Sequence, residues 1–271
     1  MSKIGLDLNK IYNCDFKEKI NEIKNESIDM VLTDIPYMIG KKSNIESIND
    51  FNTKSGKSTY QDVRKCEWDR DFDVETYLDH CCRILKPSCS LIVFGAWQQL
   101  YEVDCIIKKN LGREKGEPRV GIWKKTNPQP TNMDKMALQP YEFFLWNRKG
   151  KNWVFNNLNG FHIDKKNEIR SIPEIHFFEI SSPRNSSETD KHQAEKPRQL
   201  FEWLILTYTN KENNEKEPSI IFDGCMGGGT TAVAALKNKR NFIGFEMEEE
   251  YCKYALKRLK QIDSEKDYIV W

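Results

Sequence analysis

Two short segments carry residue types able to do chemistry. Thr33-Asp34-Ile35-Pro36-Tyr37 follows an apolar run and brings a carboxylate, a proline and an aromatic ring together where that run ends. Pro36 biases residue 35 toward extended geometry. The second segment, Asp223-Gly224-Cys225-Met226-Gly227-Gly228-Gly229-Thr230-Thr231, lies between a strand-like run and a helix-like run. Glycines let the backbone come close to a ligand, and the N-terminus of the following helix offers free N–H groups, an arrangement suited to a nucleotide. Glu246 closes the next strand-like run, Asn241-Phe242-Ile243-Gly244-Phe245-Glu246. An acid about twenty residues beyond such a turn can accept from both ribose hydroxyls. Taken singly, each segment also fits a bland reading: a strand end running into a Pro turn, and a tight strand-to-helix turn without a ligand.

The elements that must hold these residues follow from hydrophobic periodicity. Ser27 to Thr33 is short and apolar and reads as a buried strand. Residues 75–86 place Tyr77, Leu78, Cys81, Cys82 and Leu85 at helical spacing, with Pro87 as the stop. Leu91 to Gly95 reads as the next central strand, and Val120 to Trp123 and Glu142 to Trp146 as two later ones. Residues 149–190 are polar and rich in Asn and Ser and read as irregular. Residues 198–209 return to helix, and Lys211 to Glu217 is a charged linker. A strand (Ser219 to Asp223), the Gly turn, a helix (Thr230 to Lys239), a strand (Phe242 to Glu246) and a last helix follow. Alternating strands and helices imply a largely parallel sheet covered on both faces.

The pair of segments, with the catalytic one first, resembles the permuted β class of DNA amino-methyltransferases. Thr33 to Tyr37 is similar to the family's Asp-Pro-Pro-Tyr motif, with Ile35 in place of the first Pro. Asp223 to Thr231 is similar to Asp-Pro-Phe-x-Gly-Ser-Gly-Thr-Thr, with Gly224 and Cys225 replacing Pro and Phe, and Gly228 replacing Ser. His192 to Pro197 resembles the family's His-Pro-x-Gln-Lys-Pro segment, and Asn13-Cys14-Asp15-Phe16 resembles its Gly-Asp segment. Cys82 to Pro87, Leu91 to Gly95, and Trp123 to Pro128 match the motifs between.

The resemblance implies a Rossmann-like, S-adenosylmethionine-dependent methyltransferase fold with permuted motif order. It implies a single domain over residues 1–271, with an inserted loop at 38–70 and a target-recognition segment at 149–190. The implied activity is methylation of the N6 amine of adenine in double-stranded DNA. Such an enzyme holds an amine whose lone pair is delocalised into the ring by aiming two acceptors at its N–H groups. Asp34 and the carbonyl of Ile35 would be those acceptors, followed by Pro36, and Tyr37 would stack on the flipped base. Asp15, Phe16, His192, Lys196, Asp223, Met226, Gly227, Gly229, Thr230, Thr231 and Glu246 would hold S-adenosylmethionine. A homodimer and a cognate restriction enzyme are partners the resemblance admits. Cytosine-N4 methylation is the nearest alternative, because Asp34 favours adenine only loosely; a catalytically silent DNA-binding relative is another.

Other features bound the reading. The 271 residues can bury a sizeable core as one large domain or two small ones. The formal charge of +1 leaves any nucleic-acid contact to local patches. Lys108, Lys109, Arg113, Lys115, Arg119, Lys124 and Lys125 form a candidate phosphate-contacting cluster. Ser55-Gly56-Lys57-Ser58-Thr59 looks like the tail of a P-loop, but Phe51 stands where that motif needs Gly. None of the eight cysteines forms a C-x-x-C pair, so reduced thiols and no metal are expected. The absence of an apolar signal region at Met1 to Gly5, or of a long apolar stretch, leads to the expectation of a soluble, cytoplasmic protein without membrane contact.

Overall fold

The computed structural model describes residues 4–37, 72–112, 119–128, 138–156, 158, 177–183, 195–210 and 217–271. The inserted loop, the P-loop-like segment, His192 and most of residues 149–190 lie outside them. The strands in chain order are β1 (Lys10–Asn13), β2 (Ile28–Asp34), β3 (Leu85–Gly95), β4 (Arg119–Lys125), β5 (Tyr141–Arg148), β6 (Phe177–Ile180), β7 (Ile220–Asp223), β8 (Asn241–Glu246) and β9 (Ile269–Val270). The helices are α1 (Phe16–Lys19), α2 (Val74–Ile84), α3 (Leu100–Asn110), α4 (Arg198–Tyr208), α5 (Thr230–Lys237) and α6 (Glu249–Lys260).

The described strands form one sheet in the order β6-β4-β5-β3-β2-β7-β8-β1-β9. Every neighbouring pair is parallel except the two involving β5. The α/β class and the mostly parallel sheet agree with expectation. Alternation along the strands sorts the core into two. Met30, Leu32, Ile92, Phe94 and Ile221 face α4, α5 and α6. Val31, Leu91, Val93, Phe222 and Ile243 face α2 and α3. Both faces of β2 are therefore buried, which is why it reads as an unbroken apolar run.

One boundary differs from the sequence reading. Helix α2 already ends at Ile84, and β3 is paired from Leu85, ahead of Pro87. A register shift between Ile28 and Met30, facing the stretch from Leu85 to Ser90, takes up the residues around Pro87. Strand β6 also lies within the segment read as irregular; its ladder to β4 spans Phe177 to Ile180.

The site follows from the strand order. Strand β2, which leads into the Asp34 segment, and strand β7, which leads into the glycine turn, are direct neighbours, with Val31 opposite Phe222. From β2 the sheet extends one way through β3 and the other way through β7. Ligands in open α/β sheets bind at the carboxyl ends of strands at such a switch point. Asp34 and Asp223 are the last residues of these two strands.

Candidate active site

Asp34 is mostly enclosed, with 21% of its side chain accessible. The ammonium of Lys196, itself buried, bonds its Oδ2. Its Oδ1 is buried and has no partner in hydrogen-bonding geometry, though the Tyr37 hydroxyl is close enough to Asp34 to favour its ionised form. Burial pushes the Asp34 carboxyl up, and the Lys196 charge pulls against that. Lys196 also lies 3.1 Å from Glu142 of β5. Glu142 in turn meets Lys125 at 2.5 Å and accepts from the Tyr37 hydroxyl at 3.1 Å. Burial works to raise the Glu142 carboxyl, but Lys196 and Lys125 outweigh it and bring it down to about 2. Two carboxylates and two ammonium groups thus form a charge-balanced cluster around Tyr37.

The backbone beside Asp34 is fixed on both sides. The Ile35 N–H donates to the Phe94 carbonyl at 3.1 Å, a bond that the family's proline could not make. The Ile35 side chain is buried against β3, close to Gly95. The Pro36 carbonyl accepts from Gln99 Nε2 at 3.0 Å, and Gln99 Oε1 accepts from the Ala96 N–H at 3.0 Å.

At the cofactor end, Asp223 is buried and ties its own turn. Its Oδ2 accepts from Thr231 Oγ1 at 2.5 Å, and its Oδ1 from the Cys225 N–H at 3.0 Å. Gly227 and Gly229 have φ of 51° and 79°, and a Cβ on Gly229 would lie 2.7 Å from the Cβ of Ala255. Met226 is buried, with its N–H bonded to the Phe245 carbonyl at 2.9 Å. Thr230 opens α5, and its Oγ1 accepts from Arg258 at 3.2 Å. Glu246 accepts from the N–H groups of Gly227 at 2.6 Å and Glu248 at 2.8 Å. Burial nonetheless lifts its carboxyl to about 7.

A single hydroxyl joins the two ends. Tyr77 OH shares a hydrogen bond with Thr33 Oγ1 at 2.9 Å and accepts from the Gly224 N–H at 2.9 Å. The Tyr77 ring is buried edge-on to Phe16 and Phe72.

Three of the candidate cofactor residues have other partners in the structure. Lys196 pairs with Asp34 and Glu142. The Phe16 ring packs in the core against Tyr77. Asp15 caps α1, accepting from the Lys17 N–H at 2.9 Å, within a capping box completed by Glu18. The candidate phosphate patch is also reduced. Lys108, Lys109, Lys124 and Lys125 pair with Asp104, Glu75, Glu179 and Glu142, and Arg113 and Lys115 lie outside the described residues. Glu142 and Tyr77 join these contacts although periodicity placed them only in a strand and a helix; Gln99 carried no signal, and Lys125 was read only as part of the basic cluster. Among the described residues no metal-holding cluster occurs, and no helix is long and apolar enough to cross a membrane.

The chain matches the family model described as DNA methylase, of the N6/N4 methyltransferase class, over residues 28–257. It belongs to that family and is a DNA methyltransferase. The type II methyltransferase M.HinfI of Haemophilus influenzae is 31% identical over 265 residues, covering 94% of this chain and 69% of its own. M2.DpnII of Streptococcus pneumoniae is 26% identical over 269 residues, covering 96% and 93%. The crystal structure of M1.HpyAVI with SAM shares 25% identity at a TM-score of 0.60, covering 92% of this chain and 98% of its own. The cytosine-N4-specific PvuII methyltransferase shares the fold at a TM-score of 0.61 and 19% identity, covering 96% and 92%.

Proposed function

We propose that this chain methylates the exocyclic N6 amine of adenine within a specific site in double-stranded DNA, using S-adenosylmethionine. The observation that carries the reading is Asp34 Oδ1: a buried carboxylate oxygen without a partner in hydrogen-bonding geometry, at the carboxyl end of β2, beside the cofactor strand. Such an atom is costly unless something bonds it. An amine N–H is the complement it lacks.

The residues at the other end fit the cofactor. Glu246 can accept from ribose hydroxyls, Gly227 and Gly229 keep the turn free of side chains, and the N-terminus of α5 presents N–H groups. Bound there, S-adenosylmethionine supplies an electrophilic methyl group. Asp34 Oδ1 and the Ile35 carbonyl then hold the two amine hydrogens, which points the nitrogen lone pair out of conjugation. The Asp34 charge favours the positive charge that develops on nitrogen. Tyr37, anchored through its hydroxyl to Glu142, offers its ring to the flipped base.

The whole chain acts as one methyltransferase domain, with target recognition in residues 38–70 and 149–190. Its setting is a cytoplasmic restriction-modification pair, as a homodimer beside a cognate restriction enzyme; the type II names of its relatives support that setting. The test is incubation with labelled S-adenosylmethionine and unmethylated genomic DNA, then nucleoside mass spectrometry. N6-methyladenine is expected. N4-methylcytosine would overturn the base while keeping the chemistry.

Glu246 gives a pH prediction. Its carboxyl titrates near 7 in the folded protein, against an ordinary 4.5. Its contribution to apo stability is therefore fully present below about 4.5 and lost as pH rises through about 7. The ionised form is the stronger acceptor and the only one with both oxygens free of a proton, so cofactor affinity should weaken as pH falls below about 7. Glu246→Gln should raise the cofactor Kd about 10- to 100-fold, the size of a hydrogen bond to a charged group. It should also flatten this dependence. Calorimetric titration across pH checks both.

A further inference from the structure

We infer that Glu142 is a positioning residue that takes over Lys196 from Asp34 when the target base stacks on Tyr37, so that the displaced, buried cation is not left unpaired. The inference rests on the assignment of Asp34 as the amine acceptor.

In the structure, Lys196 stands over the ring face proposed for the base. Its ammonium bonds Asp34 Oδ2 and lies 5.2 Å from the centroid of the Tyr37 ring, the surface proposed for base stacking. An amine bound at Oδ1 leaves Oδ2 to this cation, but a base stacked on that ring face takes the cation's place. Lys196 is 5% exposed, so water cannot replace the lost partner. Stripping the partner from a buried charge is strongly destabilising, typically about 3–5 kcal/mol. Glu142 removes that penalty. It lies 3.1 Å from the same ammonium and needs only a short swing of the lysine to receive it fully.

The rest of the cluster makes Glu142 fit to wait. Lys125 on β4 holds it ionised from the far side at 2.5 Å. The Tyr37 hydroxyl donates to it at 3.1 Å, so the residue that receives Lys196 also fixes the ring on which the base stacks. The charged and titratable groups around Glu142 are Asp34 and Tyr37 from the β2 end, Lys125 from β4, and Lys196 from the segment leading into α4. Without the Glu142 charge, Lys196 would bond Asp34 alone. Asp34 would then be a poorer acceptor, and its carboxyl would drop, since Glu142 helps to raise it.

The test compares Glu142→Gln, Glu142→Asp and Asp34→Ala in single-turnover methylation of duplex DNA across pH, with cofactor affinity and thermal melting measured in parallel. Glu142→Gln should slow transfer about 10- to 100-fold, the cost of a misplaced reacting group. It should leave cofactor affinity unchanged and move the acid limb of the rate profile to lower pH. Glu142→Asp, which keeps the charge, should hold the limb in place and recover most of the rate. A residue that merely supports the fold would not move that limb. Glu142→Gln with the wild-type rate and limb, beside an inert Asp34→Ala, overturns the inference alone. So does Glu142→Asp behaving like Glu142→Gln. Transfer surviving in Asp34→Ala overturns instead the assignment of the acceptor.

Discussion

Asp34→Ala should lower the single-turnover methylation rate by about 10²–10³-fold or more, the measured scale for removing one preorganised group that meets developing charge. Cofactor affinity should be unchanged, because Asp34 lies on β2 and the turn that would hold the cofactor follows β7. The fold should survive as well. Lys196 loses Asp34 but keeps Glu142 at 3.1 Å, so its charge is not left bare. Asp34→Asn is the sharper variant. It keeps the shape, but its amide presents an N–H to either the amine or Lys196, so it should be as inactive as Asp34→Ala. Methylation at near wild-type rate in either variant, with folding shown by melting, would remove Asp34 from the chemistry.

The second large effect concerns stability. Gly224→Pro restores the residue typical of the family motif, yet here it should destabilise the protein by about 2–4 kcal/mol, combining overpacking with the loss of a buried hydrogen bond. A Cβ at this position would lie 2.5 Å from Cε2 of Tyr77 and 2.8 Å from its hydroxyl. The ring cannot retreat, because Phe16 and Phe72 pack against it and Thr33 holds its hydroxyl. Proline also lacks the N–H that Gly224 donates to Tyr77 at 2.9 Å. Gly224→Ala keeps the N–H and should cost less, so the gap between the two variants isolates the hydrogen bond. Urea denaturation measures both. A Gly224→Pro variant as stable as wild type would show that the turn does not depend on Tyr77.

These two positions show what a sequence can and cannot disclose here. Ile35 and Gly224 are visible as departures from proline in the two signature motifs, but their consequence is not. In both cases the replacement regains a backbone N–H, and the fold uses it: Ile35 on Phe94 and Gly224 on Tyr77. The partners are distant in the chain, so no local pattern points to them. The elements with strong periodicity, α2, α4, β2 and β8, were legible from burial pattern alone. Strands β1 and β9 were not, being four and two residues long and defined by pairing to each other and to β8. The site was legible where its residues sit in contiguous motifs. Glu142 was not, because an acid at the start of a strand is ordinary in sequence and becomes unusual only when Lys196, Lys125 and Tyr37 converge on it. Lys196 was legible as a member of a motif segment, but its pairing with Asp34 and Glu142 was not, because both partners are distant in the chain.

The contact between β2 and β7 has a further consequence for how this protein is made. The side chain of Asp29, just ahead of Met30, accepts from the Ile220 N–H at 2.9 Å across 191 residues of chain. The catalytic acid therefore leaves the ribosome long before the strand that completes its pocket. Until that strand arrives, β2 is a hydrophobic edge with one unpaired flank, slow to find its neighbour and open to the wrong one. A partly synthesised chain can present the acid but cannot modify a genome. The pairing of β2 with β7 must wait until translation has passed β7, so newly made enzyme should gain activity in a single late step.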